Sequence, residues 1–231
     1  MFGPQVLHDI RSVTKSVTSL LYGIALDRGY VPPPEALLLA QFPEYFELAG
    51  EESRARLTVG HALTMTMGAA WDESIPYSDP RNSGIAMENA PDRLHYVLSQ
   101  KIVSEPGSKW TYCGGAVALL GVLIARGAAM PLEEFARRVL FAPLHIRVFE
   151  WLRGRDGTAS AASGLRLCAR DLLQIGQVIL AKGHWEGRQL VTRAWVEASI
   201  QPFIPTGDGL EYGRLWFLGD AHVRCLSGKC R

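Results

Sequence analysis

A predominantly helical chain with a small share of strand, of the α+β class, is what this sequence predicts. Three observations lead there. Apolar residues recur at helical spacing after Ser12 and again after Gly114. Proline, glycine and capping residues punctuate the chain at intervals that suit short helices. Strand signals are scarce before residues 212–218, so at most two or three strands are expected.

Taken in order, Val13, Val17, Leu20, Leu21 and Ile24 place an apolar stripe on a helix over residues 12–28, with Gly29 as its stop. Val31-Pro32-Pro33-Pro34 cannot continue it, because proline lacks the amide donor and clashes with the preceding turn, so an extended surface link follows. Thr58 suits the cap of a short helix reaching Met65, and Pro91 with Asp92 the first turn of another reaching Gln100. Residues 68–89 show no period and are expected to form a long loop of the kind that often binds ligands.

Residues 114–126 form a markedly apolar helix ending at Gly127. Pro131 then opens a helix with Glu133 and Glu134 early and Arg137 and Arg138 late, an order that complements the helix dipole. A further helix spans about 169–181 before Gly183, and Thr192 caps the next. Aromatic and aliphatic residues gather into strand at 212–218, after Gly207-Asp208-Gly209.

The 231 residues, 48% hydrophobic, suffice for a sizeable core and predict one globular unit over 1–231, with room for two lobes. Lysine and arginine number 24 against 23 acidic residues, so no basic footprint for nucleic acid exists and a small neutral or zwitterionic substrate fits better. Cys113, Cys168, Cys225 and Cys230 make no Cys-x-x-Cys pair and no zinc spacing with histidine. They read as free thiols, and no motif calls for a metal or other cofactor. No apolar run approaches a membrane span, and the first residues lack a basic stretch followed by an apolar one. The chain therefore reads as soluble, with its compartment open.

Two elements carry chemistry. Ser12-Val13-Thr14-Lys15 puts a hydroxyl and an amine three residues apart at a helix start, on one face. A serine hydroxyl attacks only after a base removes its proton, and a lysine amine serves once burial and the positive helix end lower its pKa. With fourteen serines and five lysines in the chain, about 0.3 chance matches are expected. The spacing alone carries little; its position at the head of an apolar helix carries more. Tyr112-Cys113-Gly114 follows the turn Glu105-Pro106-Gly107-Ser108-Lys109-Trp110-Thr111. A tyrosine there can aim its phenol into a cleft and exchange protons, although packing with a local hydrogen bond is the commoner use.

Together these elements resemble the serine hydrolases of the class C β-lactamase-like and penicillin-binding protein group, whose Ser-x-x-Lys motif is Ser12 to Lys15. Gly23-Ile24-Ala25, Leu57-Thr58-Val59-Gly60-His61-Ala62-Leu63-Thr64-Met65-Thr66-Met67-Gly68, Pro106-Gly107-Ser108-Lys109-Trp110-Thr111-Tyr112, Ala162-Ser163-Gly164-Leu165-Arg166 and Ala169-Arg170-Asp171 are similar to the group in the same order. The likeness implies a helical domain beside an antiparallel sheet, and an acyl-enzyme mechanism on an amide or ester. Ser12 would be the nucleophile, Lys15 the base and Tyr112 the proton shuttle. β-Lactam, short acyl ester, peptide and oligomeric amide all suit that chemistry.

The chain departs from the group in two places. The third residue of the tyrosine motif is usually asparagine and here is Gly114, which loses an amide that orients substrate and lysine. Only eleven residues precede Ser12, and neither His222 nor Lys229 is followed two places later by the glycine of the expected Lys- or His-x-Gly strand. A sheet short of strands at both ends is therefore expected, with apolar helix faces partly uncovered. That strand normally gives the oxyanion hole one of its two N–H groups, and losing one donor costs roughly 10²–10³ in turnover. The competing expectation is an inactive fragment or binding remnant of such an enzyme. His61 reads as structural, Asp171 as support for its helix N-terminus, and Trp71, Asp72 and Glu73 as a solvated loop edge at least as readily as a cleft wall.

Overall fold

The structure, a computed structural model, describes residues 3 and 5–220. His222, Cys225, Lys229 and Cys230, and with them the expected final strand, lie outside those residues.

A two-residue strand β1 (His8–Asp9) leads into helix α1 (Val13–Asp27). Two stretches of 3-10 helix, Leu39–Gln41 and Pro43–Gly50, then α2 (Glu52–Ala55) and α3 (Val59–Leu63), follow. The middle of the chain holds α4 (Ser83–Asn89), α5 (Arg93–Leu98), α6 (Gly114–Gly127) and α7 (Leu132–Ala136), the last running into a π turn over Arg137–Phe141. After β2 (Glu150–Trp151) and β3 (Leu165–Leu167) come α8 (Ala169–Leu180), the hairpin β4 (His184–Trp185) and β5 (Arg188–Gln189), and α9 (Arg193–Ser199). Strands β6 (Ile204–Pro205), β7 (Glu211–Tyr212) and β8 (Phe217–Leu218) close the described chain.

All strand pairing is antiparallel: one sheet in the order β1-β3-β2, another β6-β7-β8, and the β4-β5 hairpin. Among the described residues no five-stranded sheet forms, which agrees with the small sheet expected. The expected two or three strands become eight because each is two or three residues long, too short to display the alternation that marks a strand in sequence.

Two further expectations need correcting. Residues 68–89 are not wholly loop, since they end in α4. Asn82 caps it, its Oδ1 accepting from Gly84 and Ile85 N–H, and Met87 is buried beneath it. The proline link after α1 is not wholly on the surface: Val31 is buried, and the Pro32 carbonyl accepts from the Tyr22 hydroxyl.

The core is built around α1 and α6, which pack directly on each other. Residues 17–25 of α1 are buried without interruption, so helical periodicity found the element but understated its burial. Gly23 lets α9 dock: a Cβ there would stand 2.2 Å from Trp195 Cδ1. The indole stacks on Tyr22 and donates through Nε1 to the Ser19 carbonyl, so one tryptophan joins two helices. An apolar face does stay uncovered on α8, where Leu173 and Leu180 are exposed one heptad apart.

Candidate active site

The β1–β3 pairing fixes the approach to α1. The Arg11 N–H binds Asp9 Oδ1 at 2.8 Å and Arg11 takes a left-handed φ of 51°, a conformation that costs a non-glycine residue roughly 1–2 kcal/mol. The turn delivers Ser12 to the N-cap of α1. A serine there commonly accepts from an amide of the first turn, but the Ser12 side chain makes no such bond. Its hydroxyl points elsewhere.

Lys15 Nζ donates to Ser12 Oγ at 3.1 Å, and the Tyr112 hydroxyl donates to the same oxygen at 2.5 Å. The Lys15 nitrogen also lies 4.7 Å from the Tyr112 ring centre. All three residues singled out in the sequence therefore meet, with Ser12 and Tyr112 half-buried and Lys15 buried.

Two supports hold them. On the α1 side, Lys15 Nζ donates to the Ala162 carbonyl at 2.8 Å and Thr18 Oγ1 to the Ala161 carbonyl, while Thr14 Oγ1 accepts from the Leu165 N–H. Three buried polar side chains of one helix face are thus satisfied by the segment that leads into β3. On the other side, Trp110 and Phe217 pack on Tyr112, the Phe217 ring stacked on it at 6.4 Å, and Tyr212 packs in turn on Trp110 and Phe217. The aromatic strands at the end of the described chain hold the phenol in place.

Burial sets the protonation states. It pulls the Lys15 amine down to about 8, against the nearby Glu73 carboxylate, which pushes the other way. Tyr112 is raised, first by burial and also by Glu73, while its bond to Ser12 opposes the rise. Near neutral pH the phenol is therefore a proton donor and the lysine is the group that can act as base.

Sequence reasoning missed two participants. The Ala162 carbonyl is backbone and leaves no side-chain signal. Glu73, expected as readily at a solvated edge, turns inward: its Oε1 accepts from Trp71 Nε1 at 2.7 Å and from Gly114 N at 2.6 Å. His61 stands where expected, closing a capping box in which the Thr58 N–H donates to His61 Nδ1. Asp171 lies in the first turn of α8. Cys113 and Cys168 are free thiols.

Comparison with known proteins follows the same lines. The family model described as Beta-lactamase matches residues 2–225. The chain is 25% identical to a 6-aminohexanoate-dimer hydrolase of Paenarthrobacter ureafaciens over 211 residues, 86% of this chain and 52% of that one. It is 26% identical to the acyltransferase mokF of Monascus pilosus over 149 residues, 59% of this chain and 36% of that one. Among solved structures, a β-lactamase/D-alanine carboxypeptidase from Pseudomonas syringae superposes with a TM-score of 0.68 at 19% identity, covering 94% of this chain and 62% of the other. The chain thus spans about half or less of the curated relatives it matches. Among the described residues no single helix is long and apolar enough to cross a membrane.

Proposed function

We propose a function from the premise that this chain belongs to the Beta-lactamase family: acyl transfer from an amide or ester to Ser12, followed by hydrolysis. One observation carries the reading, the unbroken hydrogen-bonded run from Tyr112 through Ser12 and Lys15 to the Ala162 carbonyl.

In this reading the neutral Lys15 amine takes the Ser12 proton as Oγ attacks the substrate carbonyl carbon. The oxyanion forms over the Ser12 N–H at the head of α1, where the helix dipole favours negative charge. As the tetrahedral centre collapses, Tyr112 gives its proton to the leaving nitrogen or oxygen and recovers one from the lysine ammonium. Water then repeats the sequence against the acyl-Ser12 ester. The two curated relatives, named as a hydrolase of the 6-aminohexanoate dimer and as an acyltransferase, support the same class of chemistry. A small amide or ester is the substrate class, and no step requires a cofactor.

The test is turnover of a p-nitrophenyl acyl ester beside a Ser12→Ala control, with intact-mass analysis after treatment with a fluorophosphonate. The expected result is slow turnover that vanishes in Ser12→Ala and a single adduct on Ser12. Equal turnover by the variant, or labelling elsewhere, removes Ser12 from its role. A fully inert Ser12 with an intact fold would favour the binding-remnant reading.

A further inference from the structure

Gly114 is the first residue of α6, at the position where the family resemblance expects asparagine. The space beside the Gly114 backbone is filled from another segment. Glu73 Oε1 sits on the Gly114 N–H, and a Cβ at Gly114 would stand 3.0 Å from it and 3.6 Å from Ala162 Cβ. Ala162 is the residue whose carbonyl holds Lys15. The bare face of Gly114 therefore lies between the carboxylate and the peptide that orients the base. A Cβ at 114 would press on the carboxylate, which would have to give by a few tenths of an ångström, while its contact with Ala162 would be ordinary. The start of a 14-residue helix suits a carboxylate, since dipole and free amides both favour negative charge.

We propose that Glu73 is a positioning residue for Lys15: from the loop between α3 and α4 it takes the place of the missing motif side chain and turns a negative charge toward the lysine amine. The inference rests on reading Lys15 as the base of this site.

The groups facing Lys15 come from four segments. Ser12 lies on its own helix; Tyr112 and Cys113 lead into α6; Glu73 comes from the loop; and the Ala162 carbonyl precedes β3. Behind them, Tyr77 lies near Glu73 and Tyr212 near Tyr112. Burial raises all three tyrosines and pushes the Cys113 thiol up to about 12, so these groups are uncharged where Lys15 titrates. Glu73 is then the charge that opposes burial. A neutral asparagine would leave burial unopposed and the amine a weaker base. With the carboxylate in its place, Lys15 keeps enough basicity to accept the serine proton.

The test replaces charge while keeping shape. In Glu73→Gln the side-chain oxygen still accepts from Gly114 and Trp71. Lys15 is titrated by NMR of lysine labelled at Cε and Nζ, assigned with Lys15→Met, and the pH dependence of fluorophosphonate labelling is followed in parallel. The Lys15 midpoint is expected to fall in Glu73→Gln, and labelling at pH 6, relative to its own high-pH plateau, to rise roughly three- to tenfold. Asp72→Asn, an exposed neighbour bonded only to Ser74 and the α4 approach, is expected to leave the midpoint in place. The double variant Glu73→Ala/Gly114→Asn puts an amide where the carboxylate was and is expected to lower the midpoint as Glu73→Gln does. It decides the matter should Glu73→Gln not fold. An unchanged Lys15 midpoint in either variant overturns the proposal. A wild-type chain that never labels at Ser12 overturns the nucleophile reading instead, and the NMR titration still decides Glu73.

Discussion

Lys15 Nζ and the Ala162 carbonyl oxygen meet at 2.8 Å although they lie 147 positions apart in the chain. A buried amine with one N–H committed to a fixed carbonyl cannot rotate freely. In its neutral form the lone pair can then face Ser12 Oγ, 3.1 Å away. Aligning a base with its proton is part of the entropy an enzyme must supply before reaction.

A rate limb follows from the Lys15 pKa. In the proposed mechanism only the neutral amine accepts the Ser12 proton, and burial brings that form within reach by lowering the group to about 8. Labelling of Ser12 by a fluorophosphonate should rise about tenfold per pH unit from 6 to 7.5 and level off near 9. The measurement is the second-order labelling rate against pH. A flat profile over that range would remove Lys15 as the base.

Stability carries the same signature with a definite sign. The folded Lys15 pKa lies below its unfolded value of 10.5, so between about 8 and 10.5 the unfolded chain binds more protons and stability rises with pH. Below pH 8 the buried ammonium costs up to about 3 kcal/mol. Lys15→Met removes that cost but strips the Ala162 carbonyl of its donor, a roughly 1 kcal/mol loss that does not vary with pH. In urea unfolding, the variant's stability relative to wild type should therefore be greatest below pH 8 and decline toward pH 10. A difference constant across that range would contradict the assignment.

Much of this was legible in the sequence, and the rest was hidden for physical reasons. Ser12, Lys15 and Tyr112 could be named because side-chain chemistry and family words mark them, and α1 and α6 because long apolar stripes mark helices. The short strands could not be read, since pairs such as His8 with Leu167 and Tyr212 with Phe217 depend on partners rather than on alternation within each strand. Glu73 was hidden because its loop has no period, and what gives it meaning is an absence at Gly114, forty-one residues away.

Gly23 offers a test of the packing beneath the site. Its missing side chain is what lets Trp195 reach the Ser19 carbonyl, and a methyl group would meet the indole at a distance no real contact shows. Overpacking of this kind costs typically about 1–3 kcal/mol. Gly23→Ala should lower the urea midpoint accordingly. The Lys15 titration should be unchanged, because the clash lies two helical turns from the amine. Unaltered stability would show that α9 can shift without loss.

The role of Tyr112 separates by leaving group. Its hydroxyl donates to Ser12 Oγ at 2.5 Å and stays protonated near neutrality, so it is placed to give a proton to whatever departs from the tetrahedral centre. p-Nitrophenolate leaves without help, whereas an amide nitrogen cannot leave as an anion, and general acid catalysis contributes roughly 10²–10⁴ where it is needed. Tyr112→Phe keeps the ring that Phe217 and Trp110 pack against, so the fold should stand. Cleavage of a p-nitrophenyl ester should then fall by less than about tenfold, and cleavage of the matched amide by about a hundredfold or more. Equal losses on both substrates would instead assign the hydroxyl to activation of Ser12. That step precedes any departure, and its failure would slow both reactions alike.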